Sequence, residues 1–228
     1  FLENLADVSE RIFIRNFEEE IMKKLLFLTI TVLSMSFAAV AQANTDLNVT
    51  EYFLGIPNQY IKAEPIKRGK WVDFSDNDIG NLTFKIPAKE VVDNPTEDMN
   101  VFGAVQIFKK DAGGVVVGMT TNMCAEKICV GQILFLDYNN GKWEDITSDL
   151  APMIDNDEVA EVLKDAPAYK KPIKKGVEIP LTIDFSGNEK AIHYLAGCET
   201  STDGGVVAKA FKWNGSTFAE FEYEESPE

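Results

Sequence analysis

Short apolar runs separated by tight-turn signals constrain the fold of this chain more than any other feature. Asn139-Asn140-Gly141 and Asn214-Gly215 each stand between two such runs, as is typical of the turns of β-hairpins. The strand-like runs form two series, at 101–108, 115–121, 130–138 and 142–147, and at 178–185, 190–196, 206–213 and 217–223. This spacing predicts antiparallel meanders, in which neighbouring strands follow one another along the chain.

A few short helical signals complete the pattern. Thr50 precedes Glu51-Tyr52-Phe53-Leu54 as a candidate N-cap, and a second helix is expected over residues 64–74. Asp155-Asn156 caps a third predicted helix over residues 157–164. The predicted fold is therefore α+β, with predominantly antiparallel β-meanders and a few short helices.

The runs divide residues 44–228 into three regions. Residues 44–148 hold the first meander with an N-terminal helix, 149–176 a helix and linker, and 177–228 the second meander. Each meander contains a strand, an aromatic residue, an Asn-Gly turn and a return strand. The two are either copies of one β-meander unit or ordinary hairpins that look alike.

The segment from Met22 to Ala43 has the layout of a secretory signal peptide. Met22-Lys23-Lys24 is followed by an apolar run and then by Ala41-Gln42-Ala43, which predicts cleavage after Ala43. A membrane anchor is the alternative, but the run is shorter than the roughly 20 residues that a spanning helix needs. The predicted product is a periplasmic or secreted protein, soluble after cleavage and without a stable membrane span.

Residues 1–21 precede that signal peptide and begin with Phe1, which is not an initiator. Glu18-Glu19-Glu20 is encoded by a purine-rich tract that can contain a bacterial ribosome-binding sequence shortly before Met22. We therefore interpret residues 1–21 as an untranslated leader read in frame. A genuine N-terminal extension is the alternative.

Three cysteines remain after the predicted cleavage. Cys124 and Cys129 flank four residues between two strand-like runs, so a hairpin would place them opposite each other near its tip. An oxidising compartment favours a structural disulfide, with a redox or metal pair as the alternative. Cys198 is then unpaired, as a small apolar residue.

The acidic balance of the chain limits its partners. The formal net charge is −15, and residues 44–228 alone hold 31 acidic and 18 basic residues. Such a surface repels nucleic acid and anionic lipid. The remaining partner classes are a protein or carbohydrate ligand. Trp71, Trp143 and Trp213 either stack on such a ligand or, as is usual in small β domains, lie in the core.

One acidic cluster is a weak calcium candidate. Asp73, Asp76 and Asp78 offer hard oxygen ligands in a short segment. Counted from Asp76, Gly80 falls at position five, whereas an EF-hand loop has its glycine at position six. Pro87 occupies position twelve, where that loop has glutamate. We favour an ordinary polar turn and predict no bound metal.

Catalytic signals are weak throughout. His193 is the only histidine, so it would have to be the base of any serine or cysteine triad, and no G-x-S-x-G motif accompanies it. The chain contains neither G-x-x-x-x-G-K-[ST] nor G-x-G-x-x-G, and we predict no cofactor. We expect His193 to be a core or surface residue. The 31 acidic residues leave a carboxylate pair for glycoside hydrolysis open.

The signal peptide, "EYFLGIP", "GKWEDIT" and "FKWNGSTF" together resemble exported bacterial proteins of unknown function. That resemblance implies export and a β-rich fold, and it implies no activity. Our leading hypothesis is an exported, non-catalytic binding or interaction module of unknown ligand. The alternative is a small hydrolase that uses a pair of acidic residues.

Overall fold

A computed structural model of the chain describes residues 47–93, 95–125, 128–166, 169, 173, 176, 178–197 and 205–223. The predicted leader, the signal peptide with its cleavage site at Ala43, and Cys198 lie outside the described residues. The chain is rich in β-structure, with two antiparallel sheets and few short helices. The β-rich prediction is confirmed at that level, whereas the α+β label and the duplication of the meanders stay hypotheses.

The first sheet has six strands in chain order, each paired with the next. Its strands are β1 Val72–Asp76, β2 Asn81–Ile86, β3 Asn100–Lys109, β4 Val115–Ala125, β5 Ile128–Asn139 and β6 Lys142–Asp145. Asn140 and Gly141 form the β5–β6 turn, both with positive φ, of 50° and 80°. This backbone is the one that Asn-Gly hairpin turns favour.

The second sheet has four strands in the order β10-β9-β8-β7. They are β7 Leu181–Ser186, β8 Ala191–Ala196, β9 Val206–Trp213 and β10 Phe218–Glu220. Asn214 closes the β9–β10 turn by accepting hydrogen bonds at Oδ1 from the N–H groups of Ser216 and Thr217. Both sheets therefore end in the hairpins that the Asn-Gly signals predicted.

In the part of the chain that the structure describes, the helices are α1 Val49–Gly55, α2 Pro65–Gly69, α3 Thr147–Leu150 and α4 Asn156–Asp165, with a 3-10 turn at Ala88–Glu90. The predicted helix over residues 64–74 was wrong in its second half, because α2 ends at Gly69 and Phe74 lies in β1. The N-cap of α1 is Asn48, not Thr50. Asn48 and Glu51 each accept a hydrogen bond from the other's backbone N–H, which forms a capping box.

Three apolar clusters hold these layers together. α1 packs on one face of the first sheet around Phe53 and Phe84, and the second sheet packs on the opposite face around Phe108 and Phe135. α4 covers the outer face of the second sheet through Val159 and Leu163. Among the described residues, no helix is both long enough and apolar enough to cross a bilayer.

Candidate binding cleft

α1 begins the construction of a cleft on the helix-covered face of the first sheet. Its Val49, Tyr52 and Phe53 are buried, and the Phe53 ring stacks on Phe84 of β2 with 5.1 Å between ring centroids. Gly103 on β3 permits this arrangement. A Cβ there would lie 2.6 Å from the Phe84 ring and 2.0 Å from the Thr120 carbonyl oxygen.

A buried arginine fixes the segment that follows α1. Arg68 of α2 is 1% exposed, and its Nη1 donates to the Phe53 carbonyl oxygen at 2.9 Å. Its Nη2 donates to Asn58 Oδ1 at 3.2 Å. Burial lowers the pKa of Arg68 below its ordinary value, and the charge of Glu64 opposes that shift. Arg68 therefore joins the end of α1, the following turn and α2 into one wall.

Trp71 and Glu90 form a second wall of the cleft. Trp71 is buried, and its Nε1 donates to Glu90 Oε2 at 3.1 Å. The same carboxylate lies 3.0 Å from Lys67 Nζ. The Glu90 side chain thus connects α2 to the 3-10 turn after β2 and holds the indole ring in place.

These elements enclose a cleft of about 220 Å³. Aromatic and aliphatic side chains dominate its lining, and Lys62, Glu90 and Thr121 supply polar groups. The full lining is Phe53, Tyr60, Ile61, Lys62, Trp71, Phe84, Ile86, Glu90, Val91, Met119 and Thr121. Sites for small molecules usually occupy about 300–1,000 Å³, so this cleft is sized for a single apolar group such as an amino-acid side chain.

The cleft opens onto an apolar strip on the same face of the sheet. Met119 and Met123 share a face of β4 because alternate residues of a strand point the same way. Val91, Met123, Ile128 and Val130 are between 36% and 54% exposed, although all are apolar. We call these four residues and Met119 the apolar strip. The register row of Thr121 and Gln132 lies between Met119 at the cleft and the Met123–Val130 pair. Grouped exposed apolar side chains are typical of interaction sites.

Comparison with known proteins adds one structural likeness. No protein-family model and no curated protein matches the sequence. A solved domain of an uncharacterized protein from Porphyromonas gingivalis W83 is similar to this chain. The two are 10% identical with a TM-score of 0.45, and the match covers 76% of this chain and 97% of that chain. At that level the likeness assigns neither a fold family nor an activity.

The three calcium candidates do not converge. Asp73 lies on β1 and forms an ion pair with Lys85 Nζ at 3.2 Å. Asp76 accepts hydrogen bonds at Oδ1 from the N–H groups of Asp78 and Ile79, which makes it the cap of the β1–β2 turn. No group of three or more histidine, cysteine or acidic residues suited to a metal occurs in the described parts of the chain.

Cys124 and Cys129 are bonded as a disulfide near the β4–β5 hairpin end. They are register partners, with a Cα–Cα distance of 4.0 Å, and both side chains are buried. The bridge lies on the face of the first sheet opposite the apolar strip, since Met123 and Cys124 are neighbours in β4.

His193 lies on the outer face of the second sheet and pairs in register with Asp184. Its ring contacts Tyr223, with 4.7 Å between centroids, and its buried Nε2 has no hydrogen-bond partner among the described residues. Burial lowers the pKa of His193 below its ordinary value, and the charges of Asp184 and Glu189 oppose that shift. Desolvation raises the pKa of Asp184, although its side chain reaches the surface.

A second, wider cleft of about 620 Å³ lies between α4, β9 and the segment after β10. Glu220 and Glu222 line it, together with Lys209. Lys209 Nζ lies 2.6 Å from Glu220 Oε1 and 2.9 Å from Glu158 Oε2, so it bridges two carboxylates. These hydrogen bonds raise the pKa of Lys209.

We call the 220 Å³ space the aromatic cleft, and of its lining residues only Trp71 was a binding candidate from the sequence. Trp71 is in the core, where a small β domain usually places tryptophan, and it also lines the cleft. Tyr60, Met119 and Thr121 carried no signal, because they meet only when the segment after α1 folds onto the first sheet. Trp143 and Trp213 are half-buried, and Trp213 Nε1 donates to the Lys109 carbonyl oxygen at 2.8 Å.

Proposed function

We propose that this chain is an exported, non-catalytic binding module whose ligand inserts an apolar group into the aromatic cleft. The observation that carries this proposal is the cleft itself. It is a preformed apolar space with ordered aromatic walls, and it opens onto an exposed apolar surface. Burial of one aliphatic or aromatic side chain there contributes about 1.5–3 kcal/mol, which suits an anchor residue within a larger interface.

The walls of the cleft are suited to binding because they are fixed before a ligand arrives. Arg68 holds the turn after α1, and Glu90 holds the Trp71 ring. A site that needs little ordering loses little side-chain entropy on association. The rim groups Lys62, Glu90 and Thr121 then offer hydrogen-bond partners to the backbone that carries the inserted group.

The test is a nuclear magnetic resonance titration of 15N-labelled residues 44–228 with N-acetyl-leucinamide and N-acetyl-phenylalaninamide, against N-acetyl-glycinamide. We expect the first two compounds to shift the amide signals of Tyr60, Ile86 and Thr121, and the glycine compound to leave them in place. Thr121→Phe should remove the response by filling the cleft, whereas the exposed Thr217→Phe should preserve it. Shifts that are equal for all three compounds, or that occur elsewhere, would contradict the proposal.

Export is the second part of the proposal, and it rests on the signal-peptide pattern and the Cys124–Cys129 disulfide. Expression from Met22 in a bacterial host should yield a periplasmic product that begins at Asn44. Intact mass measurement of the periplasmic fraction checks this. A product that retains residues 22–43 in the membrane fraction would instead indicate an anchor.

A small hydrolase remains the second candidate, favoured by the wider cleft in which Glu220 and Glu222 both lie. Glu220 forms an ion pair with Lys209. Glu220 and Glu222 are therefore not two carboxylates that are both available to a substrate, as glycoside hydrolysis requires. Release of a chromogenic aglycone from a panel of aryl glycosides, lost in both Glu220→Gln and Glu222→Gln, would support the hydrolase. The same activity in both variants would exclude these residues as its carboxylates.

A further inference from the structure

One end of a face of the first sheet is covered by α1, and apolar side chains are exposed at the other end of that face. Val105, Val117 and Leu136 lie in the same apolar core as the buried residues of α1. Two register rows beyond Val105, the row of Ile86, Val101, Met123 and Val130 crosses four strands. Val101 in that row is buried, whereas Met123 on β4 and Val130 on β5 are exposed. The exposed apolar surface at this end therefore lies on β4 and β5.

The dimensions of the apolar strip suit a helix. From Met119 to Met123 the strip extends about 13 Å along β4, at about 3.3 Å per residue. Across the sheet, the exposed Met123 and Val130 lie on neighbouring strands about 4.8 Å apart, within the diameter of about 10 Å that one helix covers. A helix of about nine residues covers 13 Å, since it rises 1.5 Å per residue.

Charge selects the chemistry of that helix. The loop between β2 and β3, residues 87–99, contains four carboxylates and one lysine, and Glu90 among these carboxylates is already paired with Lys67. The loop borders the row that begins at Ile86. Its Asp93, Glu97 and Asp98 are exposed. The formal net charge of the whole chain is −15. A basic partner is attracted to this border, while a second copy of the chain is repelled.

We propose that the apolar strip docks a cationic amphipathic helix of a partner protein. Its apolar face covers Met119, Met123 and Val130, one apolar side chain enters the aromatic cleft, and its basic residues face the loop at 87–99. This inference rests on the proposed function, because it uses the same cleft as the anchor pocket. The arrangement is the helix-in-groove mode of recognition, with anchors repeated at the spacing of helical turns.

The experiment titrates labelled residues 44–228 with three synthetic peptides of about 18 residues, long enough to form helix. The first carries leucines on one helical face and lysines on the other. The second replaces each lysine by glutamate, and the third has the composition of the first in scrambled order. We expect the first to bind at least about tenfold more tightly than either control, with shifts along the strip and the 87–99 loop.

Two variants locate the site. Val130→Lys places a positive charge within the strip and should lower the affinity of the cationic peptide at least about tenfold. Met153→Lys makes the same type of change at a side chain that is 97% exposed and outside the strip, and should leave the affinity unchanged. Both variants should retain the spectrum of the folded chain.

Equal affinity for the glutamate peptide, shifts confined to the wider cleft, or no effect of Val130→Lys would overturn the inference. Dimerisation through the strip would overturn it as well. The outcome with N-acetyl-leucinamide separates the two proposals. If that compound enters the cleft while none of the peptides binds, the helix inference fails and the proposed function stands. If neither binds, both fail.

Discussion

The side-chain amide of Asn122 hydrogen-bonds both backbone groups of Ile183. Asn122 Nδ2 donates to the Ile183 carbonyl oxygen at 2.9 Å, and the Ile183 N–H donates to Asn122 Oδ1 at 2.8 Å. Asn122 is buried on β4, and Ile183 lies in β7 of the other sheet. One amide side chain thus continues the backbone hydrogen-bonding pattern from the second sheet to the first.

Asn122→Ala is expected to lower the free energy of unfolding by about 2–6 kcal/mol. The change leaves a buried N–H and a buried carbonyl without partners, each costing about 1–3 kcal/mol. Urea denaturation followed by fluorescence measures the effect. Asn100→Ala is the matched control, because the Asn100 side chain makes one exposed hydrogen bond to the Asp98 carbonyl oxygen. A loss no larger than that of the control would show that Asn122 does not join the sheets.

Gly131→Ala should also destabilise the chain, by about 1–3 kcal/mol. Gly131 faces Asn122 in register, and a Cβ there would lie 2.6 Å from Asn122 Oδ1 and 2.8 Å from the Ile183 nitrogen. The control is Gly55→Ala, where the nearest atom to a new Cβ is 3.7 Å away. Thermal unfolding of both variants checks the prediction, and equal midpoints would contradict it.

His193 should titrate with a pKa below 6.5 in the folded chain. Burial disfavours the charged ring, so folding depresses this pKa relative to the unfolded state. Because the chain has a single histidine, its ring signals in a proton spectrum belong to this residue alone. A titration of tag-free protein gives the value directly. A pKa at or above 6.5 would contradict the assignment of a desolvated ring.

The same shift makes stability depend on pH. Between the lowered pKa of the folded state and the ordinary value of 6.5, the unfolded state binds more protons at His193 than the folded state does. The stabilisation that comes from this difference is therefore complete above pH 6.5. It falls as pH decreases, by at most about 1.4 kcal/mol per pH unit, until the folded pKa is passed. The contribution of Asp184 to the free energy of unfolding depends on pH in the opposite direction. Because the pKa of Asp184 is raised by folding, its contribution is present at low pH and is lost as pH rises. His193→Gln should therefore flatten the urea-midpoint profile just below pH 6.5.

Loss of the Cys124–Cys129 bridge should lower the free energy of unfolding by only about 2 kcal/mol, because the bridge closes a short loop. The double variant Cys124→Ser, Cys129→Ser measures this in urea, with Cys198→Ser as the control. A thiol assay of the denatured wild-type chain should detect one thiol, and three after reduction. Three thiols before reduction would show that the bridge does not form.

The hairpins could be predicted from the sequence because their signals are local. Asn140 and Gly141 adopt the positive φ angles that an Asn-Gly turn requires, and Asp155 caps α4 by accepting from the Asp157 N–H at 2.7 Å. The start of α1 was also readable. Asn48 followed three residues later by Glu51 is the pattern of a capping box, and that pair, not Thr50, determines the first turn.

The packing of the sheets and the cleft could not be predicted, because both depend on residues far apart in the chain. Asn122 and Ile183 are separated by 61 positions, and neither residue type indicates that partner. β1 was missed because a bulge between Val72 and Phe74 breaks its alternation, and three of its five residues are exposed. The cleft needs Phe53, Trp71 and Met119 together, and only the folded layers bring them there.

The outermost strands of both sheets limit how this chain can recognise anything. β1 has five residues, β6 has four and β10 has three. β7, the fourth outermost strand, has six, and the backbone groups of its Ile183 are already bonded to Asn122. β1 carries Asp73 and Asp76, and β6 carries Lys142 and Glu144. Short charged borders offer few backbone groups to an incoming strand and resist its addition. Recognition through a face, in which side chains and not main chain select the ligand, is the mode that this architecture leaves available.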